Sequence, residues 1–261
     1  MEEQILGITK LVNWLLGKPA LALLAALHIH PENPEYPIPN HIAMELLVFL
    51  LSIVFFLWLK ARLSVDNPGA TQQCMEALLH NNMSLGVSDL LESNIGHGSE
   101  RYLPMVASVG LFVLFCNLIG VVPGLASPTA NKTATLGCAI VVFLYYNWRG
   151  IRRYGPWRYA FTFIKMPVEI ISHAARLLSL TVRLWVNMLV SEMLYVIFLG
   201  LTVALLSFAS HASPFGYLTA LFPLVVPAIF IGLHIFVAFV QAFVFTILPV
   251  IYLSGAVGEA H

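Results

Sequence analysis

Long apolar stretches without a charged residue limit this chain to few folds. Residues 46–59 and 102–131 contain no Asp, Glu, Lys or Arg, and neither stretch alternates as a barrel strand does. A backbone in hydrocarbon must satisfy its own hydrogen bonds, so such stretches are expected to form helices. Only 10% of the 261 residues are charged, against about 25% in soluble domains. We therefore expect an all-α integral membrane protein.

Charge and motif content exclude several function classes. The 13 basic and 13 acidic residues cancel, so no net field attracts nucleic acid, which we exclude as a partner. The three cysteines have no disulfide or zinc spacing, and no nucleophile motif or phosphate loop occurs. We expect no metal, no cofactor and no catalysis by this chain alone. The start Met1-Glu2-Glu3 lacks the basic residues of a secretory signal, so the N-terminal segment is expected to be retained.

The chain is predicted to have three parts. Residues 1–41 form an outer N-terminal segment, and 42–165 form three upright or near-upright spanning helices. A polar inner loop, 61–101, joins the first two of these helices. Residues 166–261 form a long, strongly tilted helical hairpin that carries the candidate site.

The hairpin is predicted from its length. Residues 168–206 lack proline and would form a helix about 58 Å long, against a hydrocarbon core of about 30 Å. This helix must tilt strongly or break, and Gly200 is the weak point. After a turn at 207–217, the chain returns as a second long helix, with kinks expected at Pro223 and Pro227.

Basic residues predict the orientation in the membrane. With the spans assigned as above, eight Lys and Arg residues near span ends lie on one side of the membrane, and Lys10, Lys18 and Lys132 lie on the other. The more basic side is expected to be cytoplasmic. The N-terminus is therefore predicted to lie outside and the C-terminus in the cytoplasm.

Two arginines, Arg176 and Arg183, fall inside the first hairpin helix. An arginine at the centre of a span costs at least about 2.5 to 3.5 kcal/mol, so it needs a partner, a water cavity or a function. Glu169, Arg176 and Arg183 follow one another at seven-residue intervals, and Asn187 lies slightly further round. They form one polar stripe along the helix.

The hairpin also predicts pairs across its two helices. With a turn centred near Ala212, Glu192 and His234 lie at a similar outer depth, and Arg183 and Gln241 lie at a central depth. Carboxylates and imidazoles exchange protons, whereas a guanidinium keeps its proton at accessible pH. The pattern suggests a proton path interrupted by Arg183. In the alternative interpretation, these buried groups only fix helix register.

Several motifs together resemble subunit a of F-type ATP synthase. They are Pro68, Gln72 and Glu76 in the inner loop, the turn at 117–124, Ser127-Pro128-Thr129-Ala130, Pro167-Val168-Glu169-Ile170-Ile171-Ser172, Leu178-Ser179-Leu180-Thr181-Val182-Arg183-Leu184-Trp185-Val186-Asn187-Met188, Glu192, and His234 with Gln241 before Tyr252-Leu253-Ser254. The resemblance covers most of the chain.

The resemblance implies a role for each site residue. Arg183 would be the essential arginine that faces the carboxylates of a rotating c-subunit ring, flanked by Asn187 and Gln241. Glu192 and His234 would line a half-channel from outside, and Glu169 and Ser172 one to the cytoplasm, with His173 and Arg176 as accessory residues.

The resemblance also implies the protein's surroundings. Its partners would be the c-subunit ring, the b-subunit peripheral stalk, the rest of the synthase and membrane lipid, in a bacterial plasma membrane. Two rival interpretations stay open: a free-standing ion channel or carrier, and a purely structural membrane subunit.

Overall fold

The computed structural model describes residues 7–26, 28, 31, 33, 35–80, 86–96, 98–122, 125–155, 157, 167–209 and 216–257. This part of the chain is helical and contains no strand, which confirms the all-α prediction. Its α-helices are α1 Gly7–Ala26, α2 Asn40–Ala61, α3 Ala70–Leu79, α4 Val87–Ile95, α5 Leu103–Ile119, α6 Lys132–Tyr154, α7 Pro167–Ala209 and α8 Gly216–Val257. Two 3-10 turns, Ser99–Tyr102 and Pro128–Ala130, precede α5 and α6.

Five segments of the described residues are long and apolar enough to cross a membrane. They are Gly7–Ala26, Asn40–Ala61, Ser99–Ile119, Leu178–Ala204 and Ala228–Ala256. The third spanning helix expected within 42–165 corresponds to α6, which is not among the five. The C-terminal part of α6 carries Asn147, Arg149, Arg152 and Arg153, which lower its hydropathy.

The hairpin helices α7 and α8 are the longest elements, with 43 and 42 residues. At 1.5 Å per residue they are about 65 and 63 Å long. The backbone of α7 is helical through Gly200, so the helix does not break there. The backbone of α8 is likewise helical at Pro223 and Pro227, and a kink at either proline stays a prediction.

The main core lies where the hairpin packs against α5 and α6. Leu184 and Met188 of α7, Phe245 of α8, Val113 of α5 and Tyr146 of α6 are all buried in one cluster. The opposite faces of α7 and α8 are exposed and apolar. One side of the hairpin is thus fixed to the helical bundle, and the other side is left for lipid or a partner.

Gly110 lets α5 and α8 approach each other closely. A Cβ built at Gly110 would overlap the Thr246 hydroxyl oxygen of α8. That hydroxyl donates a hydrogen bond to the Ala242 carbonyl oxygen, at 2.8 Å, within its own helix. Small residues at such crossings are typical of helix packing in membranes.

Helix α1 lies within the outer segment, where no helix was predicted. Its Asn13 side chain donates to the Ile38 carbonyl oxygen and accepts from the Ile38 N–H, at 2.9 Å each. Ile8 packs in a cluster with Met44, Val48 and Cys116. These contacts lie at the first turns of α2. Lys10, Lys18 and Pro19 divide the apolar run of α1 in the sequence, which explains why it was missed.

Candidate functional site

Helix α7 has one buried and one exposed face around Arg183. Leu180, Leu184 and Met188, four residues apart, are buried against the bundle. On the other face, Val182 is 48% exposed and Val186 is 38% exposed, and Arg183 is exposed between them. The cation therefore lies on an apolar surface that the bundle does not cover.

Arg183 has no acidic partner among the described side chains. Within that part of the chain the ion pair found is His80 with Asp89, at 3.8 Å. A cation on an apolar, membrane-spanning surface is costly without a counter-charge. The counter-charge for Arg183 is therefore to be sought outside the described side chains.

Asn187 and Gln241 join the two hairpin helices one turn beyond Arg183. The Asn187 side-chain N–H donates to Gln241 Oε1 at 2.9 Å. Gln241 is buried, whereas Asn187 is exposed on the same face as Arg183. This hydrogen bond fixes the register of α7 against α8 beside the arginine.

The register differs slightly from the predicted one. Gln241 was expected opposite Arg183 and instead bonds Asn187, four residues along α7. The stacked rings of Phe198 and Phe230, 3.7 Å apart between centroids, share a midpoint at position 214 with that pair. The predicted centre was near Ala212, and a two-residue shift of the centre changes the facing partner by four residues.

His234 is buried and has a hydrogen-bond partner at each ring nitrogen. Nδ1 lies 2.8 Å from the Ser191 hydroxyl oxygen of α7, and Nε2 lies 3.3 Å from the Asn117 carbonyl oxygen of α5. The imidazole thus connects the hairpin to the end of α5. Ser191 directly precedes Glu192, so the predicted level of Glu192 and His234 is close to the observed one.

A row of buried polar groups continues from Asn117. The Thr129 hydroxyl oxygen lies 2.6 Å from Asn117 Oδ1 and 2.7 Å from the Ser127 hydroxyl oxygen. Ser127 Oγ lies 2.8 Å from the Cys116 carbonyl oxygen. All of these side chains are buried. Polar groups so buried are costly unless they are hydrogen-bonded, so this row must act as one network.

The hydrogens of this network can be counted. Two hydroxyls, Ser127 and Thr129, supply two hydrogens for three short contacts. Exchanging the amide O and N of Asn117 supplies the third hydrogen and leaves Oδ1 without a partner. In the unexchanged orientation Nδ2 is the atom without one. Either way, one buried amide atom lacks a protein partner among the described residues, at a cost of about 1 to 3 kcal/mol.

Glu192 lies next to this network. Its side chain is half-buried, and its carboxyl group faces the backbone N–H of Ser127. The loop that contains Ser127 packs on α7 through the Pro128–Ala130 turn. A carboxyl group, an imidazole and three hydroxyls are therefore collected at one end of the bundle. Such groups can pass protons between neighbours.

The residues predicted to line the half-channel to the cytoplasm have side chains outside the described part of the structure. Glu169, Ser172, His173 and Arg176 lie on the α7 backbone, and their side chains are not among those described. Among the residues that are described, no cluster of His, Cys, Asp and Glu could hold a metal ion.

Four residues that lie around Glu192 and His234 were not predicted from the sequence as site residues. Asn117, Ser127 and Thr129 had been noted only as parts of motifs, and Ser191 had not been noted. A signal for Ser191 was available, because it lies beside Glu192 at the depth already assigned to His234. The contacts of the 125–131 loop join residues eleven or more apart in the sequence, and no helical periodicity reveals them.

Comparison with known proteins identifies the family. A family model described as ATP synthase A chain matches residues 42–254. A protein named ATP synthase subunit a from Koribacter versatilis is 36% identical over 265 residues, covering 98% of both chains. One of the same name from Solibacter usitatus is 38% identical over 252 residues, covering 92% of this chain and 95% of that relative.

These matches span nearly the whole chain, and several of its helices are long and apolar enough to cross a membrane. The chain therefore belongs to the ATP synthase subunit a family, in the F0 sector, and is an integral membrane protein.

Proposed function

We propose that this chain conducts protons to and from the carboxylates of a rotating c-subunit ring through two offset half-channels. Arg183 separates the half-channels. In the synthase, the b-subunit peripheral stalk would hold the chain still while the ring turns. The chain itself catalyses no bond formation, and the rotation that it drives would be used for ATP synthesis elsewhere in the complex.

The observation that carries this proposal is the position of Arg183. It is exposed within an apolar face, and no described carboxylate pairs with it. A free-standing channel would be expected to line its pore with such a cation, and a structural ion pair would bury it against a partner in the same chain. A cation that faces outward from the bundle suits a counter-charge carried by another subunit.

The buried polar groups at the end of α5 support an outer half-channel. Glu192 and His234 lie beside the network of Asn117, Ser127 and Thr129. Its unpartnered amide atom is a place where water would be stabilised. Asn187 and Gln241 then lie between this group and Arg183, where they would orient the arginine and the arriving carboxyl group.

The inner half-channel is assigned from the sequence. Glu169 lies 14 residues before Arg183 on α7, which places it about 21 Å away along the helix axis. Ser172 is one turn further on, and His173 and Arg176 are accessory positions of the same segment. These residues would carry protons between the ring and the cytoplasm.

The lengths of α7 and α8 support a strong tilt in the membrane. Each helix is about twice as long as the hydrocarbon core is thick, while α2 and α5 have lengths suited to upright spans. A tilted helix follows the curved side of a ring over a longer path than an upright one. The two half-channels can then open at different positions along the ring.

Aromatic and basic pairs support the proposed orientation. The Arg62 guanidinium lies 4.9 Å from the Trp58 ring at the end of α2, and Arg152 lies 4.9 Å from Trp148 near the end of α6. Arg149 lies 5.3 Å from the Tyr102 ring, just before α5. Aromatic rings are typical of membrane interfaces, and arginines of the cytoplasmic side. With this side inside, the C-terminus is cytoplasmic and residues 28–39 are outside.

The mechanism follows from the cost of charge in lipid. A proton from the outer half-channel neutralises a ring carboxylate, which can then move through hydrocarbon. At the inner half-channel the proton leaves, and the carboxylate is stabilised next to Arg183. Because the guanidinium does not release its proton, protons cannot pass directly between the half-channels. Each proton contributes about 2.3 kcal/mol per 100 mV of membrane potential.

The test is ATP-driven proton pumping by the reconstituted complex with Arg183→Ala. We expect normal assembly and loss of pumping, because ring carboxylates lose their counter-charge. The matched control is Arg152→Ala, which removes an arginine that stacks on Trp148 at the end of α6 and should pump normally. Normal pumping by Arg183→Ala would refute the proposal, and failure to assemble would favour a structural role.

A further inference from the structure

The two nitrogens of His234 have different freedom to bind a proton. Nε2 faces the Asn117 carbonyl oxygen at 3.3 Å. A carbonyl oxygen has no hydrogen to donate, so Nε2 must carry the hydrogen of this bond. In the neutral imidazole, Nδ1 is then the acceptor, and the Ser191 hydroxyl donates to it across 2.8 Å. The geometry thus assigns one tautomer.

This tautomer determines where His234 can gain a proton. Nε2 is already protonated, so an added proton must bind Nδ1. Nδ1 faces the Ser191 hydroxyl, and His234 as a whole is 3% exposed. Gly120 closes the Nε2 side, because a Cβ there would lie 3.5 Å from Nε2. An in-line relay that enters at one nitrogen and leaves at the other would require the bond to Asn117 to break.

Ser191 faces a cavity on its other side. A cavity of about 320 Å³ lies between α7 and α8 and is lined by Ser191, Asn187 and Gln241, with Val190, Phe236 and Val240 around them. Asn187 is exposed on the same face as Arg183. Ser191 is therefore bonded to a buried imidazole and also lines a cavity shared with Asn187, on the face that carries the arginine.

We propose that the Ser191 hydroxyl is the relay through which His234 takes up and releases its proton. A hydronium ion in the cavity donates a proton to Ser191 Oγ and becomes water, as the Ser191 O–H bond breaks and its hydrogen forms the new N–H bond at Nδ1. The hydroxyl is regenerated, and the imidazole becomes an imidazolium. The reverse transfer returns the proton to the cavity. His234 is thus a proton store reached from the cavity, on one nitrogen. This inference rests on the proposed function.

The experiment removes the hydroxyl in two independent ways in the reconstituted complex. Ser191→Ala is compared with wild type, and Ser191→Val is compared with Ser191→Thr, which has the same shape and retains a hydroxyl. We expect proton flux to fall about 100-fold in Ala and Val, the lower end of the contribution of a positioned proton-transfer group. Ser191→Thr should keep most of the flux. If one variant of a pair fails to assemble, the other pair decides.

Two results would overturn the relay. One is wild-type flux in Ser191→Ala. The other is equal loss in Thr and Val, which would mean that Ser191 matters for its size alone. Arg183→Ala is measured in the same preparation. If it is inactive while Ser191→Ala pumps normally, the relay fails and the proposed function stands; if it pumps normally, both fail.

Discussion

Gly120 directly follows α5 and lies close to the loop of residues 125–131. A Cβ at this position would lie 3.0 Å from Ser127 Cβ, 3.3 Å from the Ser127 backbone nitrogen and 3.5 Å from His234 Nε2. The first two distances are shorter than ordinary contacts, so the loop would have to move. The absence of a side chain at Gly120 therefore keeps His234 within hydrogen-bonding distance of the Asn117 carbonyl oxygen.

We expect Gly120→Ala to destabilise the subunit by about 1 to 3 kcal/mol, as overpacking does. Proton flux should also fall, because the displaced loop carries Ser127 away from Glu192 and from the Cys116 carbonyl oxygen. The measurements are the thermal midpoint of the purified complex and its proton flux. Gly137→Ala is the matched control, since a Cβ there meets nothing within 4 Å. Unchanged midpoint and flux in Gly120→Ala would show that the loop adapts freely.

At the residue scale, the sequence singles out charged and titratable groups and gives little signal for the neutral groups that bond them. Arg183, Glu192 and His234 are conspicuous because charged or titratable groups in apolar helices need a physical reason. Ser191 and Asn117 carry no such cost in the sequence, since hydroxyls and amides are common in helices. Their importance depends on which neighbour they bond, and only the folded chain determines that.

The two hairpin helices were the easiest elements to predict. Their long apolar runs predicted helices, and the positions of their polar residues predicted which residues of the two helices would lie at the same depth. The predicted partner of Gln241 was wrong by one helical turn. Hydrophobic periodicity does not determine the position at which the hairpin reverses direction, and that position sets which residues face each other. The direct contact with Asn187 is set by side-chain packing along the hairpin, including the stacked Phe198 and Phe230 rings.

Helix α1 is the element that was not predicted from the sequence. Its contacts with residues 37 and 38 and with the first turns of α2 place residues 8–17 of α1 against the beginning of that helix. A spanning partner of α2 would instead be expected to run along its whole length. Composition alone makes α1 a candidate span, whereas these contacts favour a position at the end of the bundle where α2 begins.

At the scale of the whole molecule, the native cysteines can test the orientation. Cys74 is exposed on α3 in the inner loop, whereas Cys116 is buried and Cys138 is partly buried. We expect a membrane-impermeant maleimide to label inverted vesicles and to leave right-side-out vesicles unlabelled. Cys74→Ser should remove the labelling. Labelling of Cys74 from the outside would reverse the proposed orientation and exchange the two half-channels.

The most direct test of the whole account is passive proton flux through the intact complex, without nucleotide, under an imposed membrane potential. If Arg183 keeps the half-channels apart, as we propose, protons can cross the wild-type complex only as fast as the ring turns. With Arg183→Ala, one ring carboxylate could exchange protons with both half-channels, so we predict a clear passive leak together with the loss of ATP-driven pumping. A complex that remained as proton-tight as the wild type after this substitution would contradict the claim that Arg183 is the barrier.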